Sequence, residues 1–226
     1  FSISLLHNEV TALGPAGDDI FPGPYFLDNT NILRIGESVG SFYGLKLLGT
    51  WGTKEATEAA KYGKLPGDLK FYDKNGDGQI NDDDRVIMGK GIPSGYGTFT
   101  NVLTYKHFDL TLELQYEYGN DVLQLSKHSG QDRTGQANSF RQALTDAWTP
   151  EHQNTNIEQI RPSYVGGDGY TTGIFSSKVE DGSFIRGKNL MLGYTFSNQL
   201  ASRLKLSNLR LYLSAQNFFL ITHYFG

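Results

Sequence analysis

The chain has 226 residues, a net charge of −4 and no cysteine. Its length suffices for one large domain or two small ones. The mild acidity and the lack of a basic cluster exclude a phosphate-tracking nucleic-acid surface, and the missing thiols exclude a disulfide scaffold, thiol catalysis and zinc thiolate sites. Twenty-seven glycines, 14 Phe and 13 Tyr favour β structure broken by many turns. No run of about 18 apolar residues occurs, which excludes a transmembrane helix but not a barrel, whose alternating strands halve the hydropathy of each span.

The opening FSISLL alternates like a short strand and carries neither Met nor a basic leader, so it does not read as a signal peptide. A strand-like run also breaks off at the final THYFG, and the sequence is therefore expected to be a section of something longer. Residues 35–49 have glycine-punctuated β character and predict an extra hairpin. Residues 55–63 predict a short helix ended by Gly63. Residues 67–72, GDLKFY, alternate as a strand.

Residues 73–84, DKNGDGQINDDD, place oxygen-bearing side chains at the spacing of a calcium loop. Asp73, Asn75 and Asp77 would offer side-chain oxygens, Gln79 its carbonyl, Asn81 a contact direct or through water, and Asp84 the closing ligand. Gly78 allows the sharp turn, and Ile80 is expected to tuck into protein. Asp84 stands where an EF-hand carries a bidentate Glu, so affinity for Ca²⁺ should be lower. The strand pattern before the loop and the absence of a second loop exclude a calcium sensor of the paired-helix type. A structural Ca²⁺ that stiffens the loop and a metal-free Asx-rich turn both fit the residues.

Four longer stretches alternate convincingly. In residues 97–105 Phe99, Leu103 and Tyr105 share one side, with threonines on the other. In residues 108–116 Phe108, Leu110, Leu112, Leu114 and Tyr116 oppose Asp109, Thr111, Glu113 and Gln115. Residues 137–148 predict a helix stopped by Pro150. In residues 184–196 Leu190, Leu192, Tyr194 and Phe196 share a face, and in residues 209–217 Leu209, Leu211, Leu213 and Ala215 oppose Arg210, Tyr212, Ser214 and Gln216. Period-two patterning of this length means strands with one apolar and one polar face.

The connections sort by side. Only Lys106 and His107 separate two of the strands, and the link from Phe196 to Leu209 is short and polar. Residues 14–94 and 119–182 are long and rich in Gly, Asp, Asn and Ser. With strands running up and down, every long loop falls on one side and every short turn on the other. Strands of about 9–11 residues with aromatic ends and sorted loops predict about five spanning strands of an antiparallel transmembrane β-barrel, with long outer loops and short periplasmic turns. The competing fold is a secreted, calcium-stabilised β-sandwich that binds carbohydrate; its strands are usually about 5–6 residues and its turns are unsorted.

No catalytic constellation appears. His7, His107, His128, His152 and His223 are scattered without metal-ligand spacing, and no nucleophile elbow, Walker A or dinucleotide fingerprint is present. Glu113 and Glu117 could serve as a carboxylate pair, but the polar face of a strand accounts for both. The chain does not read as an enzyme.

An ordered series of motifs carries a resemblance. ESVGSFYG at 37–44, PGDLKFYDKNGDGQINDDDRVIMG at 66–89, YKHFDL at 105–110, GND at 119–121, WTPE at 148–151, VEDGSFIR at 179–186, LGYT at 192–195 and LRLYLSAQN at 209–217 follow one another. Together they resemble the C-terminal part of the SusC/RagA family of TonB-dependent outer-membrane transporters of Bacteroidetes, over nearly all of residues 1–226. The resemblance implies a barrel of about 22 strands around a plug domain, set in outer-membrane lipid. It also implies a SusD/RagB-type surface lipoprotein closing the mouth, TonB as the energy source, and glycans or peptides as cargo. Neither plug, TonB box nor closing strand is recognisable in these residues. The calcium-like loop would then stiffen the extracellular rim, and loop aromatics such as Trp51, Tyr164, Tyr170 and Phe175 would be candidates to meet the nutrient; packing under the loops explains them as well.

Overall fold

The computed structural model describes residues 1–22, 29–130, 138–161 and 174–225. In chain order the strands are β1 (Ser2–Leu5), β2 (Asn31–Ile32), β3 (Ser41–Gly44), β4 (Leu47–Thr50), β5 (Leu69–Phe71) and β6 (Val86–Gly89). They continue with β7 (Gly95–Tyr105), β8 (Phe108–Tyr118), β9 (Asp121–Leu123), β10 (Val179–Asp181), β11 (Phe184–Thr195) and β12 (Arg210–Thr222). The α-helices among the described residues are short: α1 (Ala56–Lys61), α2 (Ser126–Gly130), α3 (Arg141–Thr145) and α4 (Asn198–Arg203). None of them is long and apolar enough to cross a membrane.

The chain divides into two compact units. The first, made of Phe1–His7, Ile92–Asn120 and Asp181–Phe225, is one antiparallel sheet in the order β1-β7-β8-β11-β12. Its four long strands have 11, 11, 12 and 13 residues, long enough to span a hydrocarbon layer, for which about 9–11 tilted residues suffice. The sheet is open, with β1 and β12 at its edges.

Register decides which side chains share a face. Phe99 stands opposite Leu114, Leu103 opposite Leu110 and Tyr105 opposite Phe108. Leu110 in turn pairs with Leu192, Leu112 with Leu190 and Phe108 with Tyr194. Leu192 pairs with Leu213 and Tyr194 with Leu211, while Ile3 and Leu5 of β1 stand opposite Gly97 and Gly95. The apolar sets read from four separate stretches thus meet on one face, and their Thr, Gln, Glu, Asp and Arg neighbours meet on the other.

Two differences from the alternation have local causes. β11 changes phase at Lys188, an extra residue between Gly187 and Asn189: Leu190, Leu192 and Tyr194 lie on the apolar side, and so do Gly187 and Ile185. β12 runs on past Asn217, at φ 49°, to Thr222 and keeps its alternation, so that Phe219 and Ile221 stand on the apolar side opposite Gly187 and Ile185. β7 starts at Gly95, where the sequence shows only glycine and tyrosine. Here the rings of β8 replace the missing side chains: a Cβ on Gly97 would stand 2.5 Å from the Tyr116 hydroxyl, and one on Gly95 2.6 Å from the Tyr118 ring. The tyrosines lie across the glycine backbone, which offsets the weakness of glycine in a strand.

The second unit comprises Asn8–Gly91 and Asp121–Glu180. It holds the sheet β2-β3-β6 and the ribbon β4-β5. The predicted hairpin over residues 35–49 does not form. β3 and β4 are adjacent in sequence, yet β3 joins β2 and β6 while β4 joins β5. Leu45 between them bonds instead to residues 174–176: its N–H donates to the Ile174 carbonyl and its carbonyl accepts from Ser176, each at 3.0 Å. Leu45, Leu69, Phe71 and Phe175 make a small core, with Ile80 packed against it as expected. The predicted helix 55–63 is α1, preceded by a 3₁₀ turn at Thr53–Glu55. The predicted helix 137–148 is shorter: α3 ends at Thr145, and Ala147 and Thr149 form bridges to Ile157 and His152. Ala137 lies outside the described residues.

Candidate functional site

The first unit offers a two-faced wall. Leu103, Leu192 and Leu213 on its apolar face are 58%, 49% and 76% exposed. Within this unit no second sheet covers them, so the sandwich arrangement, which would bury this face in a core, is not the one adopted. A continuous apolar band this large belongs against hydrocarbon or another apolar surface. Aromatic rings stand near both of its ends, Phe108 and Tyr194 at one, Tyr116 and Tyr118 at the other, as at the two interfaces of a bilayer.

The opposite face carries two ion pairs. Arg210 clasps Asp109 through two bonds, Nε to Oδ1 at 3.2 Å and the terminal nitrogen to Oδ2 at 2.5 Å. The pair reaches over the intervening strand β11 at Gly193, where a Cβ would stand 2.5 Å from the Asp109 carboxylate and 2.6 Å from the guanidinium. Lys188 holds Glu113 at 3.0 Å across the bulge. Paired charges on a face whose reverse is apolar suit a wall between lipid and an aqueous lumen. Gly193→Ala is expected to part the Asp109–Arg210 clasp and destabilise the wall by about 1–3 kcal/mol, read as a lower unfolding midpoint of the whole protein. An unchanged midpoint would show that the close approach is not needed.

The second unit contains the calcium-like loop, residues 73–84, a series of bends closed by the 3₁₀ turn Asp82–Asp84. Asp73 accepts from the N–H groups of Gly76 at 2.6 Å and Gly78 at 2.9 Å and from the Tyr62 hydroxyl at 3.2 Å. Desolvation opposes ionisation of Asp73, but the Gly78 and Gly76 amides with Tyr62 outweigh it and hold the carboxyl below its ordinary value. Asn75 accepts from the Asp77 N–H at 3.0 Å, and Asp77 from the Gln79 N–H at 2.7 Å, so each side chain caps the residue two further on. Gly76 and Gly78 have φ of 74° and 79°, which the turn requires. Asn81 caps the 3₁₀ turn Asp82–Asp84. Asp84, fully buried, accepts from Lys74 N–H at 2.8 Å and Asn81 N–H at 2.9 Å and so ties the two ends of the loop together. The donor set is all oxygen and suits a hard cation. Its carboxylates are directed into backbone amides, and among the described residues no group of three or more His, Cys, Asp or Glu side chains is gathered to hold a metal.

Of the loop aromatics, Trp51 is 4% exposed and stacked by Tyr62 and the Lys70 ammonium, and Phe175 is 3% exposed within the small core. Both are packed inside the unit and are not displayed to a ligand. Tyr164 and Tyr170 lie outside the described residues. The sequence did not single out a polar cavity of about 370 Å³, lined among others by Lys127, Gln142, Asp146, His152 and Asn156. Its volume is in the range of ligand pockets, roughly 300–1,000 Å³. Nor did it reveal the clamp at Arg161, which pairs with buried Asp68 and donates to the Pro66 carbonyl at 3.0 Å. Such partners are remote in sequence, and no local pattern marks them.

No protein-family model matches the chain. Over its whole length it is 35% identical to TonB-dependent receptor P3 of Formosa agariphila, covering 22% of that protein. It is 26% identical to TonB-dependent receptor SusC of Bacteroides thetaiotaomicron, again over the whole chain and 21% of the relative. The chain thus spans about a fifth of the length of the curated relatives it matches. Its fold matches a solved RagAB peptide importer in the open-open state with a TM-score of 0.70 at 23% identity, covering 96% of this chain and 22% of the other. These relatives are named as receptors and importers, not enzymes. The ordered motifs, the antiparallel strands of spanning length and the apolar outer face agree with these likenesses, and the chain belongs to the SusC/RagA-type TonB-dependent receptors of the bacterial outer membrane.

Proposed function

We propose that this chain forms part of the wall and outer loops of an importer that takes up large nutrients, glycans or peptides, under a SusD/RagB-type lipoprotein lid and with energy from TonB. The observation that carries this reading is the two-faced sheet: apolar outside, charge-paired inside, with its long connections at one end and its tight turns at the other. The polar cavity in the long-loop unit adds hydrogen-bonding groups that suit a hydroxyl- or amide-bearing cargo. The native protein, extracted in mild detergent, should bring a surface lipoprotein with it, and uptake should stop when TonB is deleted. Purification without any lipoprotein, or uptake indifferent to TonB, would overturn the reading.

A structural Ca²⁺ in the loop belongs to the same proposal. Asp73, Asn75, Asp77, the Gln79 carbonyl, Asn81 and Asp84 would hold it, and its effect would be stiffness. Terbium added to the whole protein is expected to luminesce at one stoichiometric site that Asp77→Ala abolishes. No sensitised signal, or a signal that survives Asp77→Ala, would leave the loop a metal-free turn.

A further inference from the structure

The tight-turn end of the five-stranded sheet consists of two connections. Lys106 and His107 join β7 to β8, and residues 196–209, including α4, join β11 to β12. Both stand at one end, since Phe108 pairs with Tyr194 and the Thr195 N–H donates to the His107 carbonyl at 2.8 Å. The rings of Phe108, Tyr194 and Phe196 pack in series, with centroids 4.7 and 4.8 Å apart, as an aromatic tier beneath these turns.

The backbone of both turns is left-handed at a lysine. Lys106 has φ 55° and Lys205 φ 56°, two of the three non-glycine residues with positive φ among the described residues. Lys205 follows the end of α4, where the Leu206 N–H reaches the Ala201 carbonyl at 2.9 Å and the Lys205 N–H reaches the Ser202 carbonyl at 3.0 Å. That bond pair defines a helix-ending turn in which glycine is the favoured residue, because a Cβ is crowded there. A hairpin turn of two residues likewise prefers Gly or Asn at a left-handed position. Glycine is the residue the backbone favours at both sites, and a lysine stands at each of them.

The surroundings indicate what these cations meet. Lys106, Arg203 and Lys205 are exposed, and residues 196–208 contain no acidic side chain. The acid at the start of β8, Asp109, is already held by Arg210. Beside the cations, Leu200, Leu204 and Leu206 are 39%, 55% and 45% exposed, while Ala201 is buried beneath them. Exposed leucines interleaved with cations that no acid of residues 196–208 opposes, the Lys106 ammonium lying 5.3 Å from the Tyr105 ring centroid, continuous with an aromatic tier and an apolar wall, have the chemistry of an element lying in a membrane interface.

We propose that this turn end docks on anionic phospholipid headgroups of the periplasmic leaflet. Lys106, Arg203 and Lys205 meet the phosphates, and the three leucines enter the acyl boundary. The proposal rests on the reading that the short turns face the periplasm. Its test uses the whole protein reconstituted with equal parts phosphatidylethanolamine and phosphatidylglycerol, extracted in mild detergent and weighed with its retained lipids by native mass spectrometry. The variant Lys106→Gly, Arg203→Gln, Lys205→Gly should fold at least as well, because glycine relaxes both left-handed sites. Its retained phosphatidylglycerol should fall roughly tenfold, with phosphatidylethanolamine unchanged. Orientation is read separately with Ser207→Cys, expected to resist a membrane-impermeant maleimide in intact cells and to react once the outer membrane is opened. Protection of Cys with unchanged phosphatidylglycerol overturns the docking alone; labelling in intact cells overturns both the orientation and the docking.

Discussion

Leu112→Arg is expected to destabilise the membrane-inserted protein by about 2–4 kcal/mol, whereas Thr111→Arg beside it should stay within about 0.5 kcal/mol. Leu112 is central in an 11-residue strand and pairs with Leu190 and Asn101 on the apolar face. A guanidinium there must lose water or distort the bilayer. Thr111 pairs with Val102 and Met191 on the other face, where charge is already accommodated in the Asp109–Arg210 and Glu113–Lys188 pairs. Denaturant titration of the whole protein refolded into vesicles measures both variants. Equal costs for the two substitutions would mean that the sheet has no lipid face.

Arg161→Ala is expected to cost about 3–5 kcal/mol in the loop unit, because it strands a buried carboxylate. Asp68 is 1% exposed; besides its ion pair with Arg161 it accepts from the Leu65 N–H at 2.7 Å. Arg161 also donates to the Pro66 carbonyl and to Gln159, so one guanidinium fixes the turn that leads into β5. Replacing both charges, Arg161→Met with Asp68→Leu, should recover much of the loss, since no unpaired charge remains. Hydrogen exchange of the whole protein reads the effect locally: the amides of Leu65, Gly67 and Asp68 should exchange far faster in Arg161→Ala. Unchanged protection at Leu65 and Gly67 would contradict the clamp.

What the sequence made legible follows from the range of the interactions involved. Alternation is a local signal, and the faces assigned to residues 97–105, 108–116, 184–196 and 209–217 are the faces that the register brings together. The signal failed at Lys188, an extra residue that shifts the phase of β11, and at Gly95, where a ring from the neighbouring strand supplies the bulk. In the loops, short apolar runs such as residues 41–50 looked like a hairpin because β3 and β4 each have strand character. Their partners lie elsewhere, and no turn chemistry between them favours pairing. The calcium-like loop was legible as a turn, its Asx bonds arising from residues two to five apart. For Trp51 and Phe175 display and packing were both open in the sequence; Phe175 is buried through a contact across more than a hundred residues, its pairing with Leu45, and Trp51 against Tyr62 and Lys70.

The proposed role of this chain, a wall section of an outer-membrane importer, predicts a property of the native protein. The most direct test is the electrophoretic behaviour of the native protein in fractionated cells, with boiled and unboiled samples compared side by side. A closed barrel resists detergent until heated, so the protein should appear in the outer-membrane fraction as a band whose mobility shifts on boiling. A band in the soluble fraction with the same mobility in both samples would contradict the account.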